Sequence, residues 1–452
     1  MTLFCPQGPT VVEQSDRDTL ASALATLRTE PLRIGLEREA WRIDAHGCPS
    51  AQLHPFAADR DGFAEGRITV DFAENQAELI TAPMAGSAGA LAQLRRLHAR
   101  LYRAVPGELL WPLSTPGCWN GRVQPATFGG AVDQEPARQY RDYLADKYGA
   151  ARQAISGVHF NVSFPESFWA ALESGGDDPA DRSAQYFAIM RNLLRYRFVL
   201  TYLLGASPLV DARWGAELAE RLDAPGRSLF AACGRYSSSL RSGPLGYQLS
   251  DRVAADLAGV WSGLPAYAGG IRGAITGGAL AGEREFYAPV RPKTSEGGTL
   301  GALQRRGVEY LEIRVLDLDP FADVGVALTT LHFLEAFVAA ATLLPDRPLT
   351  AEALAAESRL NTWATMCSCP DAESVRAGLA VQAEPLWTVL HEAAELLGTE
   401  HVAAVAEFAE IFAGRRPRLV ERFFAGAAEA RLSLREFGLR LARQHQEALD
   451  HD

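Results

Sequence analysis

Apolar and polar residues alternate over four short stretches of the chain, 33–43, 67–82, 155–164 and 308–319, and a period of two marks a strand with one buried face. Residues i and i+2 of an extended chain share a face. In 155–164, Val158, Phe160, Val162 and Phe164 therefore fall on one side, with His159, Asn161 and Ser163 on the other. In 308–319, Leu311, Ile313 and Val315 alternate with Tyr310, Glu312 and Arg314. Helical spacing takes over at 87–105, at 183–204 and through most of the chain after Gly325. The apolar run from Val326 to Leu344 is interrupted by His332 and Glu335, so it reads as a buried helix and not as a membrane span. Strands with helices inserted between them and massed at the end predict an α+β fold and not a βαβ repeat. The expected division is a sheet-and-helix core over 1–340, with a mostly helical C-terminal region over 341–452 packed on the same unit. Two turn-rich segments stand apart, 115–137 and the glycine-rich 269–285. The second matches neither a P-loop nor a dinucleotide fingerprint and is expected to be a connector or lid.

The polar strand faces carry the chemistry. Glu37 and Glu39 lie two residues apart in "LEREAWRI", so their carboxylates share a face about 7 Å apart. Asp71 and Glu78 are too far apart to share a simple strand face, and a turn or bulge near Ala73 to Gln76 is needed to bring both inward. Gathered with His159 and Glu312 on one concave sheet face, these acids would repel one another and raise each other's pKa values unless a cation held them. Hard divalent cations favour such oxygen ligands, and Mg2+ typically bridges carboxylates to nucleotide phosphates. Mg2+, with Mn2+ as its substitute, and ATP are the expected cofactor and co-substrate. Arg314 shares the face of Glu312 and is placed to stabilise a transferring phosphoryl group. Its plainer role is a salt bridge to a neighbouring carboxylate.

Composition narrows the partners. The 452-residue chain is 48% hydrophobic and 22% charged, ordinary for a soluble globular enzyme. A net charge of −11 argues against nucleic acid, which needs clustered positive charge. Lysine occurs only at Lys147 and Lys293, which singles out Lys293 near the polar strands. The amino terminus has no basic segment followed by an apolar run, so a soluble cytoplasmic protein is expected, monomeric or a small homo-oligomer. Six scattered cysteines argue against a disulfide framework, and Cys367 and Cys369 lack a second pair to complete a zinc site.

The segments "GLERE", "DFAENQAELITAP", "WPLSTP", "KYGAARQAISGVHFNVS", "YLLGASP", "SLRSGPLGY", "YAPVRPK" and "GVEYLEIRVLDLDPF" occur in an order that resembles bacterial glutamate–cysteine ligase, from about residue 15 to 340. The resemblance implies a fold related to glutamine synthetase, an antiparallel sheet curved into a funnel with helices outside. It implies ATP-dependent joining of the glutamate γ-carboxylate to the cysteine amine, the first step of glutathione synthesis; a rival reading keeps the chemistry with another amine as acceptor. By motif, Glu37, Glu39, Asp71, Glu78, His159 and Glu312 would be metal ligands, and Arg314 would face the γ-phosphate. Arg241 would hold a substrate carboxylate, while Phe72, Tyr140, Leu144, Gln153, Tyr247 and Tyr287 would surround the cysteine. The chain departs from the family pattern after Asn361, before Tyr287 and in its shorter C-terminal region.

Overall fold

The computed structural model describes residues 14–56, 65–121, 123–127, 135–172, 178–244, 246, 256–366 and 373–450. Its sheet is organised by β1 (Arg33–Ile43), the longest strand. The hairpin β2 (Arg67–Val70) and β3 (Gln76–Ile80) joins one edge of β1 through β3. The short strands β4 (Met84–Ala85) and β5 (Leu109–Leu110) pair with its two ends. On the other edge comes β6 (Val158–Ser163). Beyond it lie β8 (Tyr310–Leu316) and then β7 (Val290–Lys293). The resulting order is β2-β3-β1-β6-β8-β7, every pairing antiparallel and the path open at both ends. The α+β expectation is met. The 67–82 segment proves to be two strands, because Asp71 N–H donates to the Gln76 carbonyl and turns the chain back.

One sheet face carries the core. Leu36, Ala40, Phe160, Val162, Leu311 and Ile313 are all buried and belong to a single apolar cluster that runs on into the helices. Against it pack the helices Ser87–Ala104, Pro179–Leu204 and Leu328–Leu343. The Pro179–Leu204 helix begins four residues before its apolar spacing does. Asp178 caps it by accepting from Ala180 N–H, and Pro179 fits its first turn, so polar residues occupy the opening turn. The Leu328–Leu343 helix is buried as expected, and its Glu335 is accommodated by Ser87, whose N–H and hydroxyl both donate to Oε1, and by His401 Nε2 at 2.6 Å. Helices Glu373–Leu397 and Thr399–Phe412 complete this layer within the same apolar cluster. Among the described residues, no helix is long and apolar enough to cross a membrane.

Two expectations need correction. The segment 269–285 is not all connector, since its first part lies in the helix Leu264–Thr276. Tyr267, Ala268 and Ile271 form a buried stripe at helical spacing, and Tyr267 packs edge-on against Phe187 and Phe286. Gly269 and Gly273 face open space and give no pattern of their own. The irregular part begins at Gly277, followed by Gly278 with φ +76°. Cys48 and Cys118 are joined in a disulfide across 70 residues of sequence. Their Cα atoms lie 5.1 Å apart, a proximity that sequence spacing does not show. Cys367 and Cys369 lie outside the described residues.

Phe160 is fully buried at the centre of the sheet's apolar face. Phe160→Ala is expected to lower the unfolding free energy by about 3–5 kcal/mol, read by chemical denaturation.

Candidate active site

The opposite sheet face is acidic. Register places Glu37 directly across from His159 on β6 and Glu39 directly across from Glu78 on β3. Like charges placed opposite one another destabilise a ladder, so Glu39 and Glu78 carry an electrostatic cost. The β2–β3 hairpin adds Asp71, and β8 adds Glu312. The result is two adjacent trios, Glu37–His159–Glu312 and Glu39–Asp71–Glu78, each offering ligand atoms within 4.8 Å of one another.

The first trio is internally balanced. His159 Nδ1 lies 2.9 Å from Glu37 Oε2, and Asn161 Nδ2 donates to Glu37 Oε1 at 2.9 Å. Arg314 Nη1 donates to Glu312 Oε1 at 2.7 Å, and Lys293 Nζ lies 3.2 Å from Glu312 Oε2. Burial opposes ionisation of Glu312, yet Arg314, Lys293 and His159 hold its carboxyl far below the ordinary value. Burial likewise opposes ionisation of Glu37, but the His159 hydrogen bond carries its carboxyl below the usual range. Burial, reinforced by Arg314, pushes His159 down to about 4, so its imidazole is neutral at pH 7. Its Nδ1 faces Glu37 and, at 3.5 Å, Glu312, while Nε2 lies 3.4 Å from Glu39 Oε1 and makes no hydrogen bond among the described residues.

In the second trio the acids outweigh their cations. Burial raises Glu39 to about 8, with Asp71 adding repulsion, and pushes Glu78 well above its ordinary value, with Asp71, Glu37 and Glu39 adding to it. Asp71 is also raised, mainly by burial, despite Arg141. An orphaned imidazole nitrogen beside oxygen-rich trios is a donor set that suits hard divalent cations.

Arg314 and Arg241 line a small cavity beside these trios, together with Arg197, Tyr287 and Asn361. The Arg241 side chain donates to the Arg314 carbonyl and lies flat over Gly157, where an added Cβ would come 2.2 Å from its Cζ. The salt bridge expected of Arg314 is thus present, and it aims the guanidinium along the acidic face.

The sequence pattern of the glutamate–cysteine ligase family matches residues 19–279 and 275–363. A glutamate–cysteine ligase from Clostridium acetobutylicum is 33% identical over 338 residues, 67% of this chain and 70% of its own. The Pseudomonas aeruginosa protein of that name is 31% identical over 94% of this chain and 87% of its own. The chain belongs to the glutamate–cysteine ligase family. The fold is shared with the crystal structure of the Francisella tularensis glutamate–cysteine ligase in complex with AMP, at 24% identity and TM-score 0.80 over 93% of this chain and 89% of that one.

Within this member of the ligase family, four of the residues expected around an acceptor fall in one apolar cluster: Phe72 in the β2–β3 turn, Tyr140 and Leu144 on the helix Glu135–Tyr148, and Tyr287 ahead of β7. Gln153 follows on the short helix Ala150–Gln153, buried, with its Nε2 making no hydrogen bond among the described residues. Tyr247 lies outside the described residues. Sequence reasoning missed the orienting role of Asn161, although its place on the polar face of 155–164 was the available signal. It also missed Arg141, whose guanidinium grips the Asp71 carbonyl.

A carboxyl raised from 4.5 to about 8 binds its proton more tightly folded than unfolded, so its contribution to stability falls as pH rises through that window. Metal-free protein is therefore expected to melt at lower temperature at pH 8 than at pH 5.5, with added Mg2+ restoring most of the loss at pH 8. Thermal denaturation at the two pH values, with and without Mg2+, checks this.

Proposed function

We propose that this chain joins the γ-carboxylate of L-glutamate to the amine of L-cysteine, with ATP as the phosphoryl donor. The paired acidic trios on one sheet face, flanked by Arg314 in a member of this family, carry the reading. A carboxylate resists amine attack, so its oxygen must first become a leaving group; phosphorylation supplies one, and the amine then displaces phosphate. Glu37, His159 and Glu312 would hold one Mg2+, and Glu39, Asp71 and Glu78 another. Bound there, the ions would neutralise the nucleotide's phosphate charge.

The protein's own groups do the rest. Arg314, fixed by Glu312, presents its guanidinium where charge develops on the transferring phosphoryl group. Arg241, held against Gly157, grips a glutamate carboxylate bidentately. Phe72, Tyr140, Leu144 and Tyr287 enclose the acceptor's small side chain, with the Gln153 amide offering a donor. Holding both amino acids and the nucleotide in register converts a three-body encounter into an ordered reaction. The AMP in the Francisella relative supports a nucleotide on this fold.

A panel of amines with ATP, glutamate and Mg2+, read by product mass, is expected to give γ-glutamylcysteine with the highest kcat/KM. Far higher efficiency with another amine would reassign the acceptor while keeping the chemistry. Glu312→Gln and Arg314→Ala are each expected to cut turnover by about a thousandfold with the fold intact; near-normal turnover would remove that residue from the mechanism. Gly157→Ala should fold but turn Arg241 aside, lowering kcat/KM for glutamate by about a hundredfold.

A further inference from the structure

Beside the candidate acceptor pocket sits a fully buried carboxylate that the chemistry above does not use. Glu285 lies two residues before Tyr287, in the segment between the helix Leu264–Thr276 and β7. Its donors come from both walls of the pocket. From the helix Glu135–Tyr148, Lys147 Nζ and Tyr148 hydroxyl both donate to Oε1, and Tyr143 hydroxyl donates to Oε2 at 3.1 Å. From its own segment, Ala281 N–H donates to Oε2 at 2.6 Å. Lys147 also donates to the Tyr143 hydroxyl at 2.8 Å and to the Ala279 carbonyl at 3.3 Å. A buried acid costs several kcal/mol unless it is paired and hydrogen-bonded, and this one is saturated.

The two tyrosines bound by Glu285 are the supports of the two that line the pocket. Tyr143 stacks on Tyr140, with ring centroids 6.3 Å apart, and Tyr148 meets Tyr287 edge to face at 5.9 Å. Tyr140 and Tyr287 belong to the same apolar cluster, and burial, together with the nearby Tyr287 hydroxyl, raises the Tyr140 phenol above its ordinary value. Four rings from two separate segments therefore refer back to one carboxylate. We propose that Glu285, with Lys147, is a positioning residue that fixes the aromatic acceptor pocket and thereby sets acceptor affinity and selectivity. This rests on the acceptor assignment of Tyr140 and Tyr287 given above. It differs from a general packing role because, among the described residues, the hydrogen bonds and ion pair of Glu285 reach neither acidic trio, so its loss should be felt most by one substrate of three.

The test is a set of steady-state constants for Glu285→Gln, Glu285→Asp and Tyr148→Phe, each varied against cysteine, glutamate and ATP. Glu285→Gln is expected to raise KM for cysteine about tenfold, leave KM for glutamate and ATP within about twofold, and narrow the preference for cysteine over alanine and 2-aminobutyrate. Glu285→Asp, which keeps the charge, should recover part of the cysteine affinity. Tyr148→Phe keeps the ring and the carboxylate and removes one donor; about a threefold rise in cysteine KM is expected, and it decides the matter if Glu285→Gln fails to fold by circular dichroism. Equal rises in all three KM values, or no change in the cysteine KM, would overturn the proposal. The unaltered protein is assayed first: if it ligates no amine to glutamate, the ligase reading fails and this role fails with it. An active protein with indifferent variants removes only Glu285.

Discussion

Five carboxylates on one sheet face, at distances where like charges repel, are the constraint from which the rest of this structure follows. Glu37 and Glu39 must share a face because β1 is extended, and the antiparallel register then sets His159 and Glu78 opposite them. A slip of one residue in either pairing would send the acids into the apolar side, where Leu36 and Phe160 now pack. The buried helices behind the sheet therefore do more than stabilise it. By making the apolar face impossible to exchange, they force the acidic face to stay together.

The two halves of that face resolve the repulsion differently. Around Glu37 and Glu312 the protein supplies its own counter-charges, Arg314 and Lys293, and a neutral imidazole, so both acids ionise readily. Around Glu39, Asp71 and Glu78 the attraction of Arg141, Arg241 and Arg314 does not offset burial and mutual repulsion, and all three acids hold protons more tightly than they would in water. A site of the first kind is preorganised for a cation at neutral pH. One of the second kind exchanges protons for it, so cation binding there is linked to pH.

Much of this face was legible in the sequence because strand alternation is a strict period. Reading Val158, Phe160 and Val162 against His159 and Asn161 is enough to orient β6, and the same rule orients β8 through Glu312 and Arg314. The spacing of Asp71 and Glu78 announced a turn, which the hairpin supplies. What alternation does not encode is which strands lie side by side. The Cys48–Cys118 link and the hold of Arg241 on Gly157 depend on that adjacency and were not readable. The helix Leu264–Thr276 was hidden for another reason: its glycines mimic a loop, while the three buried residues that make it a helix start before the glycine-rich stretch.

The role proposed for Glu285 is one of holding a site from outside its own chemistry. The wall proposed for the acceptor is made of aromatic rings, which offer area and little orientation, since stacking and edge contacts have broad minima. Hydrogen bonds are directional, so a single buried carboxylate can fix what the rings alone leave loose. Lys147 then serves two ends: it neutralises the acid, and by donating to Tyr143 and to the Ala279 carbonyl it ties the helix Glu135–Tyr148 to the segment that leads into Tyr287. In a chain with only two lysines, one lies against the acidic trio and the other against this carboxylate. Lys147 meets three acceptors, the Glu285 carboxylate, the Tyr143 hydroxyl and the Ala279 carbonyl, whereas Lys293 faces the Glu312 carboxylate.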